Sequence, residues 1–112
     1  MIDLNEIKMP KRGRINFGRI NAAALAVLPS LLKRWLPDGR VEGHEYVARN
    51  PTRSDQHSGS FCINLRNGRW ADFATGDRGG DVVSLAAYLG GMSQVDAAVQ
   101  LAHMIGVEAL DA

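Results

Sequence analysis

The side chains with the clearest capacity for chemistry in this sequence are arginines that surround a predicted β-hairpin: Arg49, Arg66, Arg69 and Arg78. A guanidinium group is always protonated and can donate two parallel hydrogen bonds to a phosphate. Arg66 and Arg69 are predicted to face each other at the hairpin tip, where like charges are unfavourable for a sheet. A polyanionic partner explains this arrangement, and so does simple solvation.

A second basic group lies near the start of the chain. Between Lys8 and Arg19 there are five basic residues and no acidic one. We interpret residues 1–19 as a basic flexible arm and residues 20–112 as one folded domain. The arm adds three candidate phosphate contacts: Lys11, Arg12 and Arg14.

The glycine-rich stretch "GDRGGD", residues 76–81, has two interpretations. Backbone amides at a helix start attract anions, so the stretch could cradle a phosphate. However, Asp77 and Asp81 flank it, Asp81 can cap the following helix, and no Lys-Ser/Thr pair of a P-loop follows. The pattern favours a tight turn followed by a helix cap.

Composition excludes several classes of protein. The chain has 112 residues and a net charge of +1, so it predicts one domain without a global basic field. Its single cysteine, Cys62, excludes intrachain disulfides and a cysteine-rich zinc site. No apolar run has the length of a membrane span, so we expect a cytoplasmic protein without a membrane partner. We find no arrangement typical of an active site and predict a non-enzymatic protein without a cofactor.

The elements that position these residues follow from local patterns. "SFCINLR" alternates and places Phe61 and Ile63 on one face, Asn67-Gly68 is a strong two-residue hairpin signal, and "RWADFA" is the return strand. This register pairs Leu65 with Trp70. Trp70 is then either a core residue, which the pattern favours, or an exposed platform for base stacking.

Helices are predicted on both sides of the strands. Asn21 is a possible cap for a first helix with a leucine stripe, and Pro29 predicts either a kink or two short helices. Asp81 and Ser93 are predicted to cap two final helices, the last of which ends at Gly106. The stripe predicted to be buried on that helix is Val95, Ala98, Val99, Ala102 and Ile105.

From Gly43 to Val107 the chain resembles the N-terminal zinc-binding domain of bacterial and phage replicative primases, in the form found in primase-helicases. The residues that carry the resemblance are "NPTR" from Asn50, "SFCIN" from Ser60 and "RWADFATGDRGGDVVSL" from Arg69. The resemblance implies a small zinc-ribbon-like fold of the α+β class: an antiparallel three-stranded sheet, preceded by one helix and followed by two. It also implies contact with single-stranded DNA template.

The resemblance places Asn50, Arg53, Asp72 and Thr75 at the four metal-ligand positions. Arginine has only donors and cannot ligate a cation, and the other three side chains do not make a tetrahedral zinc site. We therefore predict a metal-free domain in which Arg53 donates to the Asp72 carboxylate while Asn50 and Thr75 bond to backbone. Extra apolar burial, from the leucine helix and from Trp35, Phe61, Trp70 and Phe73, would compensate for the missing metal.

Two functions are expected from these observations. The first is a non-catalytic, primase-type domain of a phage or plasmid that binds single-stranded DNA through its arginines. The second is a mobile-element protein-interaction module that binds or inhibits a host nucleic-acid-processing complex. Expected protein partners are a primase or helicase, or a host nucleoprotein complex. Near-neutral net charge favours the second, because dedicated DNA-binding domains are usually more basic.

Overall fold

The structure, a computed structural model, describes residues 13–54 and 58–111. Within these ranges the chain forms four helices and five strands, and the predicted α+β class is confirmed. The helices are α1 (Phe17–Ala26), α2 (Leu28–Trp35), α3 (Val82–Gly90) and α4 (Gln94–Ile105). The strands are β1 (Arg40–Glu42), β2 (Glu45–Ala48), β3 (Phe61–Asn64), β4 (Trp70–Asp72) and β5 (Arg78–Gly79).

The strands form one antiparallel sheet in the order β1-β2-β3-β4-β5. The predicted three-stranded sheet is therefore incomplete, because a short strand flanks it on each side. All three residues of β1 are exposed, and β5 has only two residues. Neither strand carries the alternation that marks a half-buried strand in a sequence.

The hairpin between β3 and β4 has a different register from the predicted one. Ile63, not Leu65, is the partner of Trp70, and the connection runs from residue 65 to residue 69. The Asn64 side chain accepts from the backbone amides of Arg66 and Asn67 and so closes a longer loop. A two-residue turn of the predicted type needs positive φ at both positions, and here only Gly68 has it, at 78°.

The observed register of the hairpin is shifted by two residues from the predicted one. Each side chain therefore stays on its predicted face of the sheet, although the predicted cross-strand partners are wrong. Phe61, Ile63 and Trp70 all point into the core, as expected. Arg66 and Arg69 do not face each other across the hairpin, so their like charges need no polyanion to explain them.

The first helical segment consists of two helices, in agreement with one of the two alternatives for Pro29. Pro29 is the second residue of α2, where a missing amide proton costs nothing. Asn16, not Asn21, caps α1 through its side chain, which accepts from the Arg19 amide at 2.8 Å. Asn21 instead accepts from the Val83 amide at 2.9 Å and ties α1 to the start of α3.

The predicted ends of the last two helices are confirmed. Asp81 and Ser93 cap α3 and α4, and the left-handed Gly106 ends α4. No helix in the described ranges is long and apolar enough to cross a bilayer alone. Only α3 and α4 taken together reach that length and composition, and the chain bends by 107° between them.

The buried stripe of α4 differs from the prediction. Its buried residues are Ala97, Ala98, Leu101 and Ala102, whereas Val95 and Val99 are exposed. Helix α4 packs against α1 and α3, and alanines allow helices to approach closely. The helical spacing of apolar residues could not distinguish this alanine face from the neighbouring valine face.

The core lies between one face of the sheet and the helices. On the sheet side, Phe61 packs edge-on to Trp70 with ring centroids 6.1 Å apart, and Tyr88 of α3 lies 4.5 Å from the Trp70 ring. Trp70 Nε1 donates to Ser84 Oγ at 2.9 Å. A Cβ on Gly79 would overlap both atoms of that hydrogen bond, so the close approach of β5 requires glycine here.

Part of the predicted arm belongs to the folded domain. Ile15 forms an antiparallel bridge with Leu110, and Arg19 donates to the carbonyl oxygens of Glu108 and Leu110. Arg19 also forms an exposed ion pair with Asp111 at 3.2 Å. Residues 13–19 are thus held against the C-terminal segment, and the predicted arm residues 1–12 lie outside the described residues.

Candidate nucleic-acid interface

Asp72 is at the centre of a buried polar cluster that includes Asn50 and Arg53. Its side chain is fully buried, and Arg53 donates to both of its oxygens, from Nε at 2.8 Å and from a terminal nitrogen at 3.2 Å. Asn50 Nδ2 and the Ala74 amide donate to the same carboxylate at 2.8 and 2.9 Å. The predicted bond between Arg53 and Asp72 is confirmed.

Asn50 and Thr75 organise the two turns of this cluster. Asn50 Oδ1 accepts from the Thr52 amide at 2.9 Å, and Thr75 Oγ1 accepts from the Asp77 amide at 3.2 Å. Both contacts are the backbone bonds that the sequence predicted. Asn50 additionally donates to Asp72, so its role in the cluster is larger than expected.

Tyr88 joins the cluster from α3, which the sequence did not predict. Its hydroxyl accepts from Asn50 Nδ2 at 2.8 Å and donates to Asp77 Oδ2 at 2.7 Å. The cluster therefore connects the segment after β2 with β4 and α3 through polar bonds. In the described part of the chain, no group of three or more His, Cys, Asp or Glu side chains could hold a metal ion.

The hydrogen bonds from Arg53 hold the pKa of the Asp72 carboxyl well below its usual range, although burial acts in the opposite direction. A carboxyl with a lowered native pKa stabilises the fold above its unfolded-state pKa of about 4. That stabilisation is lost as pH falls toward the native pKa.

We therefore expect the free energy of unfolding to fall on acidification, with Asp72 responsible for on the order of 2 kcal/mol of the loss below about pH 4. Urea unfolding between neutral pH and pH 2.5 measures this slope. Asp72→Asn should be less stable at neutral pH and flatter in its pH dependence. An unchanged slope in the variant would show that other carboxyl groups control acid stability.

On the opposite face of the sheet lies a shallow cleft of about 590 Å³, which we call the outer cleft. Small residues form its floor: Cys62, Ala71, Gly79 and Gly80. The larger residues that line the cleft are Glu45, Asn64, Arg69, Trp70, Phe73 and Arg78, and of these Trp70 is almost fully buried. The cleft exists because cross-strand partners in the middle of this face, such as Cys62 and Ala71, are small.

Two of the predicted arginines meet in the outer cleft, Arg69 and Arg78. Arg78 is the cross-strand partner of Ala71, and Arg69 immediately precedes β4. Both are exposed. In residues 13–54 and 58–111, neither guanidinium has a hydrogen-bonding or ion-pair partner, so both are available to an external anion.

The remaining predicted contacts do not join this cleft. Arg66 is exposed in the loop between β3 and β4, and Arg49 lines a separate depression beside Trp35 and Asp38. Arg14 is exposed beside the C-terminal segment, where its carbonyl accepts from the Asp111 amide. Lys11 and Arg12 lie outside the described residues.

The exposed aromatic residue of the sheet is Phe73, not Trp70. Trp70 is only 5% exposed and belongs to the core, whereas Phe73 is 75% exposed. Phe73 was expected to be buried. Its position follows from strand alternation, since Asp72 takes the inward position immediately before it. The sequence signal that could have placed Phe73 outside is therefore the inward spacing of Trp70 and Asp72.

The polar cluster and the outer cleft share one turn of the chain. The amides of Thr75 and Gly76 donate to the Asp72 carbonyl, and the Asp72 amide donates to the Asp77 carbonyl. This turn carries Phe73 at its start and leads into Arg78 at its end. The buried Asp72 therefore positions two side chains of the outer cleft.

Comparison with known proteins gave no match to any family model or to any curated protein, so the resemblance to primase zinc-binding domains depends on the motifs of this sequence alone.

Proposed function

We propose that this chain is a non-catalytic, cytoplasmic domain of the primase type, from a phage or plasmid, and that its outer cleft binds single-stranded DNA. Arg69 and Arg78 contact phosphates, and Phe73 stacks on a base. The observation that carries the proposal is the convergence around a floor of small residues of an exposed phenylalanine and two guanidinium groups that have no partner among the described residues.

This combination is what binding of single strands requires. Proteins that bind single strands combine basic groups for the backbone with aromatic faces for the bases. A floor of alanine, cysteine and glycine lets a planar base approach the sheet, whereas large side chains would keep it away. An unpaired base is needed for stacking on Phe73, so the cleft favours single strands over duplex.

The proposal predicts salt-dependent binding of a fluorescein-labelled single-stranded oligonucleotide, measured by fluorescence anisotropy. Affinity should fall as salt rises from about 50 to 200 mM, because bound phosphates release counterions. Arg69→Ala and Arg78→Ala should each weaken binding and reduce the log–log salt slope by about 0.7. Phe73→Ala should weaken binding about tenfold at every salt concentration, since it removes stacking and no charge.

Arg34→Ala is the matched control. Arg34 is an exposed arginine on α2 that does not line the outer cleft, so its removal changes net charge by the same amount. An equal loss of affinity in Arg34→Ala and Arg69→Ala would show that binding depends only on net charge, and it would contradict a specific site. Absence of binding at low salt would refute the proposal.

A second candidate function, binding a protein of a host or replication complex, is favoured by a different surface. Met104 of α4 is 44% exposed and lines a groove of about 370 Å³ together with Trp35, Met92 and Leu101. Exposed apolar surface of this kind is typical of contacts between proteins. If single-stranded DNA fails to bind, this surface supports the alternative of a protein-interaction module.

A further inference from the structure

Glu45 is an unexpected residue in a cleft that binds phosphates. Its carboxylate lines the outer cleft together with Arg69 and Arg78. In the part of the chain that the structure describes, Glu45 makes no ion pair with either arginine or with any other side chain. An unpaired carboxylate would repel the phosphate backbone, so its presence calls for a ligand that supplies hydrogen-bond donors.

Asn64 stands directly beside Glu45 with a fixed amide orientation. The two residues are cross-strand partners on β2 and β3, which brings their Cβ atoms to within roughly 5 Å. Asn64 Oδ1 accepts from the amides of Arg66 and Asn67 at 2.8 and 3.2 Å. These bonds commit the oxygen and leave the Nδ2 protons for the cleft.

The pair therefore presents two acceptors followed by a donor. A carboxylate is acceptor-only and can receive two parallel N–H groups, and the Asn64 amide then donates. The Watson–Crick edge of guanine carries the complementary order, with donors at N2 and N1 and an acceptor at O6. Cytosine, adenine and thymine each have only a single donor position on that edge.

We infer that Glu45 and Asn64 make the outer cleft selective for guanine in single-stranded DNA. The base lies over Cys62 and Ala71, which are the small residues next to the Glu45–Asn64 row. Its N1 and N2 protons bond to the Glu45 carboxylate, and O6 accepts from Asn64 Nδ2. This inference rests on the proposed function of the cleft and names the base that the cleft reads.

The test compares three labelled oligonucleotides by fluorescence anisotropy: oligothymidine, the same strand with one central guanosine, and the same strand with inosine at that position. Inosine lacks only the 2-amino group. The guanosine strand should bind about tenfold more tightly than oligothymidine, because each well-formed pair of hydrogen bonds to a base discriminates by about that factor. Inosine should lose most of the advantage.

Glu45→Gln should abolish the difference between guanosine and inosine. Glu42→Gln is the matched control, because the substitution removes the same charge from the cross-strand partner of Glu45. Glu42 does not line the cleft. Glu42→Gln should leave the ratio between the two strands unchanged.

The outcomes separate this inference from the proposed function. Equal, salt-dependent binding of all three strands refutes guanine selection and leaves single-strand binding intact. A preference for guanosine that survives in Glu45→Gln assigns selection to other residues and also refutes the inference. Failure of every strand to bind overturns both proposals.

Discussion

Replacing Arg53 by alanine should lower the free energy of unfolding by about 3–5 kcal/mol, the cost of removing one partner of a buried ion pair. The reason is that Asp72 is fully buried and would keep its charge with only Asn50 and the Ala74 amide as the described donors. The free energy of unfolding of Arg53→Lys should lie between those of the parent and Arg53→Ala, because an ammonium group keeps the charge but loses the parallel bonds from two nitrogens. Thermal and urea unfolding followed by circular dichroism measure these differences.

Arg40→Ala is a control with the same chemical change. Arg40 also forms an ion pair, with Glu42, but its side chain is 56% exposed against 29% for Arg53. Exposed pairs contribute about 0–1 kcal/mol, so the stability of this variant should stay close to that of the parent.

A chelator such as EDTA should leave the melting temperature of the parent unchanged, since both oxygens of Asp72 are engaged by protein donors. Unfolding by chelator, or similar stabilities of Arg53→Ala and Arg40→Ala, would contradict a structural role for the ion pair.

The second large effect is expected at Phe61, where alanine should cost about 3–5 kcal/mol. Phe61 is fully buried, and its ring centroid is 6.1 Å from that of Trp70 and 6.2 Å from that of Tyr88. A buried ion pair is roughly neutral against apolar residues of the same volume, so it does not supply the folding energy that a metal would. We expect the aromatic group around Phe61 to supply it.

Phe73→Ala is the matched comparison, because it makes the same substitution at an exposed position. It should change stability by less than about 0.5 kcal/mol while weakening single-strand binding. Urea unfolding and fluorescence anisotropy should both be measured on the two variants. Phe61→Ala should lose stability, whereas Phe73→Ala should lose binding. A stable Phe61→Ala would show that the helical side of the core is sufficient for folding.

Features with a local cause could be predicted from the sequence. Asp81, Ser93 and Gly106 act within one turn of their own helices, and the structure has all three in the predicted roles. The inward face of β3 and β4 was also predictable, because alternation of large apolar residues requires no knowledge of the rest of the fold.

Other features could not be predicted, because they depend on competing side-chain bonds or on distant residues. The Asn67-Gly68 pair predicts a two-residue turn, but the side chain of Asn64 accepts from the Arg66 and Asn67 amides and closes a longer loop. Tyr88 joins the polar cluster only because α3 docks over the sheet, and nothing in its local sequence indicates this. Glu45 and Arg78 share a cleft because three intervening strand pairings bring their surfaces together.

The order of the sheet also affects how this chain can fold. Each strand pairs with the next one in the sequence, so the sheet can form from local hairpins, which close quickly. The core is different, because α1 packs on α3 and α4, and Asn21 bonds to Val83, 62 positions later. Closing such long loops costs more chain entropy than closing a hairpin. A chain emerging from the ribosome can therefore build its sheet early, but the bridge from Ile15 to Leu110 must wait until Leu110 has been synthesised.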